Sequence, residues 1–315
     1  MKANLISAVL ATFCLAAWTP SLAHQQARGG GHGHVHTAPV RGSVHILQGE
    51  GGNIAASIGD DGIILIDADY ENASSLMLAT LRDLAGARPI RYLVDTHYHS
   101  DHTDGNAAFA RAGAVIVAHD EVRPRLAQGS QAGNGASVAV QMAPAPVEGL
   151  PIITFDSSLT LHLNGDTITA RHFARAHTDG DVVIFFRDAD VVHMGDIYVR
   201  YGFPFIDLAS GGSIDGMISA SEAVLAAISP ETLIIPGHGD IARRSDLVEY
   251  VAMLRDTRAA VAAAMQTGQG LDELKRNRVL ARWSERYSGD FISTDAFIET
   301  LYNSLRAQSP RQTPG

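Results

Sequence analysis

Cysteine is almost absent from this chain of 315 residues, and the single cysteine, Cys14, lies in an apolar stretch near the N-terminus. If that stretch is removed on export, the mature protein contains no thiol. Disulfide bonds then cannot stabilise the fold in an oxidising compartment, and no thiolate can act as a nucleophile or a metal ligand. The chemistry of such a protein therefore excludes thiolates.

Runs of basic residues are also missing. The formal net charge is −10 at pH 7, and 46% of the residues are hydrophobic. Binding to nucleic acid depends largely on Lys and Arg side chains that neutralise phosphates, so this composition argues against a nucleic-acid partner. The length is sufficient for a full hydrophobic core, arranged as one large domain or two small ones.

The N-terminal apolar run, residues 5–18, is too short for a membrane helix and is followed by Pro20. Residues 1–23 have instead the pattern of an export signal, in which residues 21–23 form a small-x-small cleavage site. We expect cleavage after residue 23, a secreted or periplasmic location, and no membrane association after cleavage.

Residues 24–43 are rich in glycine and histidine, including His32, His34 and His36. This composition cannot build a core and predicts a disordered tail. The tail is either an uninvolved linker or a low-affinity segment that supplies zinc to the main site, and its histidines are not counted as catalytic ligands. We predict a folded domain over residues 44–308 and a second disordered tail over residues 309–315.

Short apolar runs and helical periods alternate along the predicted domain, which indicates an α/β or α+β class. Strands are predicted at residues 44–47, 53–58, 63–67, 90–94, 114–118, 159–163, 167–173, 182–186, 191–194 and 232–235. Helices are predicted at residues 76–84, 106–112, 245–265 and 295–305. Asp120 is a candidate N-cap for a further helix, and residues 128–151 are interpreted as an irregular loop.

The densest polar cluster follows the apolar run at residues 90–94 and contains His97, His99, Asp101 and His102. In extended chain His97 and His99 share a face and can bind one cation, whereas Asp101 and His102 can serve a neighbouring position. Two adjacent metals that share a bridging water then become possible. The alternative is a polar loop whose histidines are hydrogen-bonded to backbone, which suits one histidine better than this cluster.

Three further polar residues lie at predicted strand ends: His177, Asp196 and His238. Open sheets place their sites where strands end. Each residue alone is weak support for a site, because a single histidine after a strand is more often a hydrogen-bonded turn residue. His193 is treated as structural, with a supporting role as the alternative.

Taken in order, these side chains resemble the ligand set of the metallo-β-lactamase superfamily, and the resemblance covers most of residues 44–242. It implies a four-layer αβ/βα sandwich with the metals in a groove along one edge. It also implies that His97, His99 and His177 hold a first metal, that Asp101, His102 and His238 hold a second, and that Asp196 bridges both. Asp67 matches an aspartate that supports the histidine motif through hydrogen bonds.

The resemblance further implies a hydrolase with two Zn²⁺ ions, although iron or manganese also suit imidazole and carboxylate ligands. Asp101 and Asp196 would lower the net charge of the site and orient hydroxide for attack on the carbonyl of a small-molecule substrate. A β-lactam ring is the leading substrate hypothesis for an exported member, with lactones and thioesters as rivals. A non-enzymatic periplasmic zinc-binding protein is the alternative from a different class.

Residue types near Asp196 bear on the substrate. Cysteine-type antibiotic-hydrolysing members of the family have cysteine at the position of Asp196 and a lysine three residues later, where this chain has Val199. Arg200 is nearby and could pair with a substrate carboxylate. Aromatic residues that follow, Tyr201, Phe203 and Phe205, are candidates for a substrate pocket, with a role in capping the core as the alternative.

Overall fold

The computed structural model of the chain describes residues 34–134 and 139–308. Within these residues the strands are β1 (His36–Arg41), β2 (Val44–Gln48), β3 (Ile54–Gly59), β4 (Gly62–Ile66), β5 (Ile90–Val94), β6 (Val115–His119), β7 (Ser130–Gly133), β8 (Ala139–Met142), β9 (Ile153–Phe155), β10 (Ser158–Leu163), β11 (Asp166–His172), β12 (Val182–Phe186), β13 (Val191–His193), β14 (Leu233–Ile235) and β15 (Ala242–Arg243). The α-helices are α1 (Ser74–Ala85), α2 (Ser100–Thr103), α3 (Asn106–Arg111), α4 (Val122–Gln128), α5 (Ile214–Ala227), α6 (Arg244–Gln266), α7 (Leu271–Arg276), α8 (Ala281–Tyr287) and α9 (Thr294–Gln308).

The strands form two large sheets. The first has the order β1-β2-β3-β4-β5-β6-β9, and the second has the order β10-β11-β12-β13-β14-β15. Strands β1 to β4 are an antiparallel meander, whereas β4, β5, β6 and β9 are parallel neighbours. In the second sheet only β13 and β14 pair in parallel. Parallel neighbours require crossovers, which place α1 and α3 on the first sheet and α5 on the second.

Alternating side chains bury both faces of the first sheet. In β4, Ile64 and Ile66 belong to the core between the two sheets, whereas Ile63 and Leu65 pack in the core that includes Met77 of α1. This division follows from the two-residue period of a strand. A run of four apolar residues is therefore needed, and β4 supplies it.

The second sheet is buried in the same way. Ile184 and Phe186 of β12 face the first sheet, whereas Val183 and Phe185 pack in the core built with α5, α6 and α9. The layers are thus helices, sheet, sheet and helices. This arrangement confirms the four-layer αβ/βα sandwich expected from the sequence.

The N-terminal boundary differs from the expectation. Residues 36–41 form β1, which pairs antiparallel with β2, so the prediction of a disordered tail through residue 43 is wrong for this stretch. Arg41 at its end donates to the Asp190 carboxylate at 2.9 Å. Backbone pairing, which composition does not reveal, orders the segment. Residues 1–33 and 309–315, with the predicted export signal, lie outside the described residues, and no described helix is long and apolar enough to cross a membrane.

Two local predictions are also wrong. The stretch interpreted as an irregular loop contains the hairpin β7–β8 and a short 3₁₀ helix at Val147–Gly149. Its Gly, Ala and Ser content gives a weak strand signal, and the hairpin is held partly by tertiary contacts. Glu121, and not Asp120, precedes the first residue of α4, and no side chain caps that helix.

Candidate metal centre

The seven candidate ligands meet where strands of both sheets end. His97, His99, Asp101 and His102 follow β5 in the first sheet. His177 follows β11, Asp196 follows β13 and His238 follows β14, all in the second sheet. The two sheets are joined at this edge by a hydrogen bond from the Val182 N–H to the Thr96 carbonyl. The fold therefore brings together residues separated by as many as 141 positions along the sequence, from 97 to 238.

A first group is formed by His97, His99 and His177. The distance from His99 Nδ1 to His97 Nε2 is 3.1 Å, and that to His177 Nε2 is 2.9 Å. All three side chains are buried. Two nitrogens that bind one zinc ion at about 2.0–2.1 Å are separated by roughly 3.3 Å, so this group has the size of a tetrahedral site.

A second group is formed by Asp101, His102 and His238. His238 Nε2 lies 3.0 Å from Asp101 Oδ2 and 3.4 Å from His102 Nε2. Asp101 and His238 are partly exposed, with side-chain exposures of 22% and 23%. This group is therefore the side of the centre that small molecules can reach.

Asp196 lies between the two groups. Its Oδ2 is 3.8 Å from His177 Nε2, and its Oδ1 is 3.3 Å from His102 Nε2 and 3.5 Å from His238 Nε2. Each carboxylate oxygen thus points toward a different group. Gly237 makes room for this side chain, because a Cβ at that position would lie 2.0 Å from Asp196 Oδ1.

Hydrogen bonds fix the tautomers of four imidazoles. His177 Nδ1 donates to the Phe205 carbonyl, His102 Nδ1 to Asp67, and His99 Nε2 to Asp207. Thr96 Oγ1 donates to Asp67, so His97 Nδ1 donates to Thr96 Oγ1. In the neutral form of each ring, the remaining nitrogen therefore carries the lone pair and faces the centre.

The donor set fits metal ions. Lone pairs that face one another at about 3 Å repel unless a cation lies between them, and they have no hydrogen to share. Asp196 Oδ1 is buried and makes no hydrogen bond. Buried polar atoms normally have a partner, so this one also indicates a missing cation.

Charge and burial keep the donors in the forms that bind metals. Burial lowers the pKa of His97 well below its ordinary value and that of His177 to about 4, so both imidazoles are neutral at pH 7. Burial alone would raise the pKa of Asp101, but His102 and the hydrogen bond from His238 lower it to about 2. His238 and His102 likewise overcome burial and lower the pKa of Asp196. Both carboxylates are therefore anionic at neutral pH.

Asp67 has the supporting position expected from the sequence. It accepts hydrogen bonds from the Thr96 N–H at 2.7 Å, the Thr96 hydroxyl at 2.8 Å and His102 Nδ1 at 2.8 Å. Its φ of 67° turns the chain sharply at the end of β4. Since such backbone is costly for a residue other than glycine, the hydrogen bonds must offset the strain.

His193 supports the centre from behind. Its Nε2 donates to the Asn53 carbonyl at 2.9 Å, and its Nδ1 accepts from the Gly195 N–H at 3.2 Å. The Asn53 side chain in turn donates to the carbonyls of Pro236 and Gly239, which flank His238. His193 therefore stabilises the loops that carry Asp196 and His238 and is not itself among the clustered donors.

Asp207 was missed by the sequence reasoning. It is fully buried and accepts hydrogen bonds from His99 Nε2 at 3.1 Å, from Tyr98 at 2.5 Å and from the Gly133 N–H at 2.9 Å. Asp207 ends the apolar run Phe-Pro-Phe-Ile as Asp67 ends the run Ile-Leu-Ile, but only Asp67 was indicated by the resemblance to the family.

Two of the candidate substrate contacts lie elsewhere. The Arg200 guanidinium donates to the carbonyls of Asp240 and Ile241 and lines a cavity of about 140 Å³ that contains none of the seven clustered side chains. Phe203 is fully buried and stacks on Phe297 of α9 at 4.4 Å between ring centroids. The prediction that Phe203 lines a substrate pocket is therefore wrong, because its ring belongs to the core.

Tyr201 and Phe205 do border the centre. The Tyr201 ring is 5.6 Å from the His238 ring, and the Phe205 ring is 5.9 Å from those of His99 and His177. Phe291, which no sequence signal identified, contacts both aromatic rings.

A four-layer αβ/βα sandwich with two adjoining histidine and aspartate groups at one edge defines a metal-dependent hydrolase. The sequence matches the metallo-beta-lactamase superfamily over residues 48–238, a span that contains all seven clustered side chains. Because this match covers more than half of the chain, the protein belongs to that superfamily.

Individual relatives cover only parts of the chain. The probable metallo-hydrolase YqgX of Bacillus subtilis (strain 168) is 26% identical over 155 residues, which are 49% of this chain and 70% of that protein. A hydroxyacylglutathione hydrolase of Anaeromyxobacter dehalogenans (strain 2CP-C) is 34% identical over 118 residues, which are 35% of this chain and 43% of that protein. The solved structure of a metallo-beta-lactamase from Pontibacter korlensis has a TM-score of 0.56 and 16% identity, and the match covers 71% of this chain and 100% of that one. The similarity to this solved structure shows only that the two chains share a fold.

Proposed function

We propose that the protein is a dinuclear zinc hydrolase that cleaves the acyl C–O or C–S bond of a small neutral ester, thioester or lactone. One observation carries the proposal: Asp196 directs one carboxylate oxygen toward each of two complete donor groups. Iron or manganese are the alternative metals, because imidazole and carboxylate ligands suit all three.

The residues divide the work by position. His97, His99 and His177 would hold the first ion and Asp101, His102 and His238 the second, and Asp196 lies between the two groups. Two zinc ions in these groups would lower the pKa of water to about 7 and polarise a carbonyl oxygen. Asp101 and Asp196 are anionic, so they offset the cationic charge and can accept a hydrogen bond from the attacking water.

The reaction is hydrolysis without a covalent enzyme intermediate. Water forms a bond to the carbonyl carbon, and the bond to the alkoxide or thiolate leaving group breaks. The products are a carboxylate and an alcohol or thiol, with one proton released to solvent. Asp101 is the group best placed to pass that proton on, since its side chain reaches both His238 and solvent.

The surroundings of the centre favour neutral substrates. Arg200, the cation nearest to Asp196 in sequence, donates from Nη1 to two backbone carbonyls and lines a cavity that contains none of the seven clustered side chains. Tyr201 and Phe205 border the centre with apolar surface. The hydroxyacylglutathione hydrolase relative also supports an ester-like bond over an amide.

A β-lactam is the second candidate. The predicted export signal favours it, but Arg200 lines a cavity that contains none of the seven clustered side chains and so is not placed to bind a β-lactam carboxylate at the centre. We therefore expect lactones or thioesters to be the better substrates.

The test compares three substrates on purified, zinc-loaded protein: γ-decalactone, an acyl thioester and a chromogenic cephalosporin. We expect kcat/KM to be highest for the lactone or the thioester, and to fall by about 100-fold or more in Asp196→Ala. Asp60→Ala is the matched control, because Asp60 is fully exposed. Preferential cleavage of the cephalosporin would replace this proposal with the β-lactam candidate. Absence of all turnover in zinc-loaded protein would favour a non-enzymatic metal-binding protein.

A further inference from the structure

Three aromatic rings form a continuous surface beside the metal centre, and we name Tyr201, Phe205 and Phe291 the aromatic patch. The Phe291 ring lies 5.6 Å from the Tyr201 ring and 6.0 Å from the Phe205 ring. The other two rings contact histidines of the centre. The patch therefore extends from solvent to both donor groups.

Phe291 is the outer end of the patch. Its side chain is 54% exposed, whereas Phe205 is only 6% exposed. An isolated exposed phenylalanine requires no explanation. Phe291 differs because the two rings it contacts, Tyr201 and Phe205, themselves contact histidines of the centre. A molecule bound at the centre could therefore cover the Phe291 ring.

The loop between α8 and α9 that carries Phe291 is held in place. The Phe203 N–H donates to the Tyr287 carbonyl at 2.7 Å, and the Gly289 N–H donates to the Ile292 carbonyl at 3.0 Å. A Cβ at Gly202 would lie 2.6 Å from the Tyr287 carbonyl, so this close approach requires glycine. The ring is thus positioned by fixed backbone.

The position of the patch coincides with the accessible side of the centre. Asp101 and His238 are the most exposed of the clustered side chains, and the Tyr201 ring packs on His238. A substrate that reaches the second donor group therefore meets uncharged aromatic surface on this side and carboxylates in the centre.

We propose that the aromatic patch binds an apolar acyl or alkyl substituent of the substrate and that Phe291 determines specificity for it. The inference rests on the proposed function, and it narrows the substrate class to neutral lactones and esters that carry a hydrocarbon chain or an aryl group. Uncharged rings form no ion pair with an ionic substituent of the substrate. An apolar substituent that packs on the rings is removed from water, and this burial favours binding.

The first experiment measures kcat/KM of the zinc-loaded protein for γ-decalactone and for γ-butyrolactone, which lacks the alkyl chain. Phe291→Ala should lower the ratio of the two values by about tenfold, because most of the apolar contact of one phenylalanine ring is lost. Phe291→Leu, which keeps an apolar side chain at this position, should retain most of the wild-type ratio. Ile152→Ala is the matched control, since Ile152 is 73% exposed and precedes the start of β9, whereas the centre follows the end of the parallel strand β5. An unchanged ratio in Phe291→Ala, with unchanged zinc content, would overturn the proposal.

The second experiment does not depend on turnover. Calorimetric titration of zinc-loaded protein with octanoate and with acetate compares a carboxylate that has an alkyl chain with one that does not. Octanoate should bind more tightly than acetate, and Phe291→Ala should lower the ratio of the two affinities by about tenfold. If the wild-type protein hydrolyses no lactone, ester or thioester but shows this preference, the proposed hydrolysis is wrong and the proposal for the patch stands. If octanoate and acetate bind equally, the patch is wrong whatever the protein hydrolyses.

Discussion

The Asp207 carboxylate links a ligand of the first group to the hairpin β7–β8 through its bonds to His99 and to the Gly133 N–H. Hydrogen bonds, above all that from His99, overcome burial and lower its pKa to about 2. We predict that Asp207→Asn lowers zinc affinity by about 10- to 100-fold, because His99 loses the charged acceptor that fixes its tautomer. Competition with a chelator of known affinity measures this change.

Ser210→Ala is the control for that substitution. Ser210 Oγ contacts the Tyr98 hydroxyl at 2.7 Å and Arg125 at 3.2 Å but makes no hydrogen bond with His99. Equal losses of zinc affinity in both variants would show that Asp207 acts only through general packing and not through His99.

The cluster at residues 97–102 could be identified from the sequence because it follows the apolar run at residues 90–94, whereas the assignment of His177, Asp196 and His238 as ligands depended on the resemblance to the metallo-β-lactamase superfamily. The position of Phe291 beside the centre could not be predicted from the sequence. Phe291 lies in a short loop between two helices, and only the fold determines which rings lie beside it. Phe203 illustrates the same limit, since the single residue Pro204 separates its ring in the core from the Phe205 ring at the centre.

Strand β1 is the element that changes the domain boundary most. It pairs with β2 along its length, and Val35 just before it is buried. We predict that a chain beginning at residue 44 has a free energy of unfolding lower by about 2–4 kcal/mol than one beginning at residue 34, because it loses the backbone ladder and this apolar contact. Urea denaturation of both chains measures the difference. The shorter chain should also aggregate more readily, since β2 becomes an exposed edge.

Arg41→Ala separates the ladder from the ion pair with Asp190. Both partners are about one-third exposed, so this substitution should cost no more than about 1 kcal/mol. A loss as large as that of the truncation would assign the stability to Arg41 and not to the strand.

Strong apolar periods made most other elements predictable, as in β4, where every residue is buried. Strands β1, β7 and β8 lack such periods because they are short and polar or rich in small residues, and they are ordered by pairing, β1 with β2 and β7 with β8. A pattern within a segment cannot report a partner outside it.

The metal centre spans the whole molecule, because the ligands after β5 belong to the first sheet whereas His177, Asp196 and His238 belong to the second. Bound ions therefore cross-link the two halves of the sandwich. At a free zinc concentration about 1,000-fold above Kd, binding adds about 4 kcal/mol to the free energy of unfolding. Whatever removes zinc should lower the unfolding temperature.

Acid should remove this stabilisation in two steps. In the metal-free protein the carboxylates around the second group outweigh burial and raise the pKa of His102 and His238 above their ordinary value of 6.5, whereas burial lowers the pKa of His177 to about 4. Protons and metal compete for the same nitrogens, so the imidazoles with raised pKa lose zinc at the higher pH. We predict that one ion per chain is lost first as the pH falls, and that the second is retained until the pH approaches 4. Zinc content after dialysis at stepped pH, measured beside the unfolding temperature, checks this order. Loss of both ions in a single step would contradict this order. So would a variant that retains only the His97, His99 and His177 group if it lost its ion at the higher pH.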